Sequence, residues 1–146
     1  MRKTYSGRYT PKFPKKYKGD PTNIIWRSSW ELRFLKYLDN NPDILEYGSE
    51  EVVVPYISPV DSRWHRYFPD FLVKYRTKDG KLKTMIMEVK PKKQAQPPEP
   101  RKRVTKQYIQ EVATWGINQA KWKAAEEYCM DRGWEFKVIT EDHLGI

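Results

Sequence analysis

At 146 residues the chain has room for one domain with a core of its own and too few for two. Twenty-eight Lys and Arg against nineteen Asp and Glu leave a formal charge of +9, which favours a polyanionic partner through counterion release without implying sequence preference. No stretch is apolar enough to span a bilayer, the basic N-terminal segment lacks the apolar run of a signal peptide, and the lone Cys129 excludes a disulfide framework or Cys-rich zinc site, so an intracellular compartment is expected.

Residues 1–22 read as a basic extended arm, ordered only by packing on the domain or on a partner, ahead of a domain over 23–146. Its aromatics Tyr5, Tyr9, Phe13 and Tyr17 alternate with bases and suit either stacking on exposed nucleotides or packing on the domain. Ser28 or Ser29 caps a helix whose apolar stripe is Trp30, Phe34, Leu35 and Leu38, and Asn40-Asn41-Pro42 ends it. Val52-Val53-Val54 suggests a strand bounded by Pro55. Trp64 to Tyr75 forms a second, bent or interrupted around Pro69. Asp79-Gly80 carries a hairpin signal, and Leu82 to Val89, apolar on both faces, reads as a central third strand. The loop 91–103, with Pro91, Pro97, Pro98 and Pro100 among lysines and arginines, admits no regular element. Val104 to Trp115 then reads as a helix broken or kinked at Gly116, and Asn118 to Arg132 as another that Gly133 closes. Trp134 to Thr140 alternates like a strand, and Glu141 to Leu144 makes a final short turn. This order predicts a mixed central sheet flanked by helices, an α/β or α+β domain.

Two segments carry candidate chemistry. Pro69-Asp70 sits at the bend of the second strand, and Glu88-Val89-Lys90 ends the third. Alternation puts Glu88 and Lys90 on one face and Val89 on the other. Two carboxylates that meet there can hold a hard cation such as Mg²⁺, and the lysine can orient a water or steady charge on a phosphate. The ordinary alternatives are an edge-strand acid facing water and a cross-strand ion pair. Glu31, taken alone, reads as a solvated helix glutamate. His65 falls on the opposite face from Asp70 unless Pro69 introduces a bulge, and is expected at the surface. Lys92, Lys93, Arg101, Lys102, Arg103 and Lys106 form the densest basic run, suited to clamping a nucleic-acid backbone beside the acids. Asn118, Gln119 and Lys121 open the second helix, where backbone N–H groups favour an anion such as phosphate; an ordinary polar helix start is the alternative.

Ser29-Trp30-Glu31-Leu32-Arg33-Phe34, Phe68-Pro69-Asp70-Phe71 and Met87-Glu88-Val89-Lys90-Pro91 together resemble the PD-(D/E)xK nuclease superfamily of restriction-endonuclease-like fold. The Glu-x-Arg-Phe helix and the Trp122…Trp134-Glu135-Phe136 segment are similar to TnsA-type transposase endonucleases. Over most of the chain, Arg27–Asn41, Pro55–Phe71 and Arg103–Thr140 resemble the head-completion proteins of T-even-type phages. The resemblance implies that Asp70 and Glu88 hold Mg²⁺ or Mn²⁺, that Glu31 completes the acidic shell, and that Lys90 serves the attacking water. TnsA-type enzymes can carry Gln where this chain keeps Glu88. The expected function is a DNA endonuclease of phage head maturation, acting on double-stranded DNA in the infected host's cytoplasm or on the virion, with portal or neck proteins as partners. A non-catalytic DNA-end binder or portal-neck adaptor is the alternative reading, and a junction or repair nuclease a third.

Overall fold

The computed structural model describes residues 6–144. A four-stranded sheet ordered β3-β6-β7-β8 forms the centre, from β3 (Ile44–Ser49), β6 (Phe71–Arg76), β7 (Leu82–Val89) and β8 (Glu135–Ile139). In this sheet the β7–β8 pairing is parallel and the other two are antiparallel, because the long α2 (Lys106–Arg132) carries the chain from β7 to β8. Helix α1 (Ser29–Asn40) covers one face and α2 the other. The α3 turn (Glu141–Leu144) follows β8. This is the mixed sheet flanked by helices that the sequence predicts.

Alternation along β6 divides the core. Phe71 and Val73 pack with Phe34, Leu35 and Leu38 of α1, whereas Leu72 packs with Ile86 and with Cys129 of α2. The helix α1 begins where Ser28 Oγ accepts the Glu31 N–H at 3.1 Å. Two small paired ribbons complete the molecule. One joins β1 (Gly7–Tyr9) to β2 (Ile24–Trp26), and the other joins β4 (Val54–Ile57) to β5 (Trp64–Tyr67) and lies along α2.

Four readings need correction. The loop 91–103 does hold a regular element, a single 3-10 turn at Lys92–Ala95 ahead of its later prolines. Residues 44–49 form β3, unforeseen because a bulge between Ile44 and Glu46 destroys the alternation that would have advertised a strand. The Val-Val-Val segment contributes only Val54 to a strand, β4, which runs on through Pro55. Pro55 is tolerated there because β4 pairs on one side only. Gly116 does not break the helix: α2 runs unbroken for 27 residues, since Trp115, Trp122, Ala125 and Cys129 keep one apolar side that outweighs the roughly 1 kcal/mol a mid-helix glycine costs. The two halves of Trp64–Tyr75 meet the expected bend at Pro69 and enter different sheets.

The described part of the N-terminal segment packs on the domain. Tyr9 and Tyr17 are core residues, so they do not stack on nucleotides; Phe13 is partly exposed beneath Lys12 and Lys16. Tyr5 lies outside the described residues. Asp39, wholly buried near the end of α1, accepts the Tyr9 hydroxyl at 2.8 Å and the N–H groups of Lys12 at 2.6 Å and Phe13 at 3.2 Å. Lys16 Nζ donates to the carbonyls of Leu38, Asp39 and Asn41 at 2.8–2.9 Å, closing the helix end.

Candidate active site

Strand register brings the acids together. The β6–β7 ladder ends on Phe71↔Met87, and continuing it by one residue sets Asp70 opposite Glu88. The Val89 N–H donates to Asp70 Oδ2 at 2.7 Å, which fixes that carboxylate at the carboxyl end of β7. On the other flank the β3–β6 ladder ends on Ser49↔Phe71, and the Glu50 N–H donates to the Asp70 carbonyl at 3.0 Å. An acidic row, Glu50-Asp70-Glu88, therefore crosses three strands at one end of the sheet. Glu50 has a left-handed backbone (φ 55°) and pairs with Arg27 at 3.1 Å, so its charge is already compensated.

Asp70 and Glu88 have no such compensation. Burial, followed by the charge of Glu88 and a hydrogen bond shared with it, holds the Asp70 carboxyl well above the usual carboxylate range. The Val89 N–H and the Lys90 ammonium pull the other way and do not prevail. Glu88, 5% exposed, also accepts the Tyr67 hydroxyl. Burial and the neighbouring Glu88 charge push that phenol far up. Glu31 stands at the start of α1 and is pushed up to about 7, first by burial and then by the charge of Asp70. The Ser28 hydroxyl and the Arg27 amide partly offset this.

Buried like charges in contact must take up either a proton or a cation. Their hard oxygen donors suit Mg²⁺ or Mn²⁺. Asp70 and Glu88 are in contact and Glu31 is within charge–charge reach of Asp70. Among the described residues, however, no three His, Cys, Asp or Glu side chains form a closed metal cage. Lys90 influences Asp70 through its charge and takes part in no ion pair among the described residues.

The sequence model of the TnsA-like endonuclease N-terminal domain matches residues 41–141, which include Asp70, Glu88 and Lys90 but not Glu31. The chain belongs to this family. The head completion nuclease of Enterobacteria phage T4 is 41% identical over 144 residues, covering 96% of this chain and 93% of that protein.

The basic residues of this TnsA-like domain are less uniform than the acids. Lys102, Arg103 and Lys106 are exposed. Lys93 and Arg101 line a cleft of about 610 Å³ between the Pro-rich loop and α2, with Asn118 on its wall. Lys92 pairs with Asp142 at 3.2 Å and Arg101 with Glu111 at 3.5 Å, so both charges are partly engaged within the chain. Asn118, Gln119 and Lys121 do not open a helix. They lie within α2, whose first turn follows the Thr105 cap, so no free N–H groups stand beside them to attract phosphate. Asn118 is buried, and Lys121 Nζ lies 5.6 Å from the centre of the Tyr67 ring. His65 is at the surface, 2.8 Å from Asp61.

Sequence reasoning missed Tyr67 as the partner of Glu88 and Trp122 as the neighbour of Tyr67. Trp122 Nε1 is buried on the Tyr67 side without completing a hydrogen bond. The available signal was the alternation of β4, whose inward Val54 pairs with Tyr67 and draws it to the same side, one bend before Asp70.

Proposed function

We propose that the chain is a divalent-cation-dependent endonuclease that hydrolyses phosphodiester bonds in DNA and acts in completing phage heads. The Asp70–Glu88 contact carries this reading: two desolvated carboxylates set opposite each other by register are a costly arrangement for a protein that uses neither cation nor proton there. The net charge of +9 supports DNA as substrate, and the likeness to the T4 head completion nuclease supports the biological setting.

In this reading Asp70 and Glu88 hold Mg²⁺ or Mn²⁺, and Glu31 completes the acidic shell. The bound cation supplies charge neutralisation at the phosphate and a water of lowered pKa. The surrounding chain does the positioning. The Val89 N–H and the Tyr67 hydroxyl fix the two carboxylates, and burial keeps bulk water from screening them. Glu31, held near neutrality by burial and by the charge of Asp70, would give up its proton as the cation arrives and join the shell as a carboxylate. Lys90, free of ion pairs among the described residues, orients that water or steadies the phosphate charge.

Incubation of plasmid, linear, single-stranded and branched DNA with Mn²⁺ or Mg²⁺, beside calorimetric titration of the cation, tests the proposal. Cleavage that EDTA stops, with measurable cation affinity, is the expected result. A protein that binds DNA but neither takes up the cation nor cuts any substrate would be a DNA-end binder instead.

A further inference from the structure

The β4–β5 ribbon has two unlike faces. Pairing sets Val54 against Tyr67 and Tyr56 against His65, and the side bearing Val54, Tyr56 and Tyr67 is buried against α2. The intervening pairs, Pro55↔Arg66 and Ile57↔Trp64, point outward. There Trp64 is 70% exposed and Ile57 50% exposed, an unusual outlay of apolar surface beside two free arginines. Arg63 and Arg66 take part in no ion pair among the described residues, whereas the ribbon's acid, Asp61, is held by His65 and by the Arg63 N–H.

We infer that this outer face is a stacking platform for unpaired DNA bases next to the scissile position, with Trp64 under the base and Arg66 on the phosphate. Three observations carry the inference. An exposed indole flanked by uncompensated guanidinium groups matches what single-stranded nucleic acid offers, a π-face on every base and a phosphate on every link. The charge is of the right sign, and none of the four outward residues, Pro55, Ile57, Trp64 and Arg66, is acidic. The ribbon is also continuous with the acids: β5 passes through Phe68 and Pro69 directly into Asp70. Six residues span at most about 20 Å, so Trp64 lies within about six stacked base steps of Asp70. The platform thus favours substrates with melted or single-stranded DNA close to the cut, such as overhangs, forks and ends, over intact duplex.

The inference rests on the nuclease reading for its substrate, and one experiment separates the two. Binding of end-labelled DNA by fluorescence anisotropy is measured for a blunt duplex, a forked duplex and a single strand. The proteins are the wild type, Trp64→Ala, Trp64→Phe, Trp64→Leu and Arg66→Ala, with cleavage assayed in parallel. Trp64→Ala and Trp64→Leu are expected to weaken binding of the forked and single-stranded DNA about 5- to 100-fold. Blunt-duplex binding should move less than about twofold, and Trp64→Phe should restore most of the loss. Arg66→Ala should weaken all three DNAs alike and reduce the salt slope by about 1. Equal loss on all DNAs for Trp64→Ala, no loss on any, or full rescue by Leu overturns the platform; no loss on any would assign this face to a protein partner. Unaltered cleavage by every Trp64 variant leaves the nuclease reading standing without it. A wild type that cuts nothing, yet loses forked-DNA binding on Trp64→Ala, leaves the platform standing without the nuclease.

Discussion

Two desolvated aspartates, Asp39 buried at the end of α1 and Asp70 half-buried at the end of the sheet, show how the same residue type is satisfied in one place and, in the reading proposed above, kept for chemistry in the other. Asp39 accepts three hydrogen bonds, from Tyr9, Lys12 and Phe13, with Lys16 beside it on the last carbonyls of α1. Its charge is answered by the N-terminal segment it ties down. Asp70 accepts one, from Val89, and faces Glu88 and Glu31. Desolvation is common to both; the neighbours differ. A buried acid that is satisfied holds a segment in place, and one that is crowded by other acids is driven to take up a proton or, as proposed above, a cation.

The contrast can be broken from either side. The largest effect is expected at Asp70 and Lys90: Asp70→Asn or Lys90→Ala should lower the cleavage rate about a thousandfold or more while circular dichroism and melting show an intact fold. A variant pair that still cuts would remove these side chains from the reaction. Asp39→Ala should do the converse. Losing the acceptor strands a phenol and two backbone donors, so stability should fall by about 3–5 kcal/mol in urea titration, while activity per folded molecule persists.

Tyr67→Phe comes next. Removing the hydroxyl that fixes Glu88 should weaken Mn²⁺ binding about 10- to 100-fold by calorimetry, with little change in melting temperature. An unchanged affinity would mean that Glu88 needs no orienting partner. The smallest effect is the pH dependence. Glu31 has its value raised from 4.5 to about 7, so ionising it costs the folded state. That cost is absent below the lower value, grows as pH rises between the two, and is complete above the upper one. In EDTA the wild type should therefore lose stability across this window relative to Glu31→Gln. Cation affinity should climb over the same window as protons are displaced. Parallel stability curves for the two proteins would show that Glu31 is already ionised without a cation.

The legible and illegible parts of the molecule divide by range. Helix α1, strand β7, the turn at Gly80 and the αL stop at Gly133 (φ 71°) rest on local signals, and each lies where those signals put it. The contact between Asp70 and Glu88 was legible too, because a hairpin with a short turn fixes the register that sets them opposite each other. Strand β3 was hidden by its bulge. For Tyr9 and Tyr17, stacking and packing on the domain stayed equally open, because nothing local reveals that Asp39 and Tyr47, far along the chain, are their partners. The single long α2 overrode a local breaker through packing that only the sheet supplies. Losing the break also removed the free N–H groups on which a phosphate contact at Asn118 was argued, so one mistaken boundary took away the premise of a functional expectation.

Pro69 is fully buried between β5 and β6 and brings no N–H to either ladder. The two strands it joins share a covalent link but no hydrogen-bonded sheet. The outer ribbon and the acid row thus share no ladder and are tied through Pro69 and the Tyr67–Glu88 hydrogen bond. If the ribbon grips DNA as inferred above, its outward residues Pro55, Ile57, Trp64 and Arg66 can be exchanged while Tyr56 and Tyr67 stay packed and Asp70 and Glu88 keep their places. Such exchange offers a route by which one cutting centre could diversify its targets.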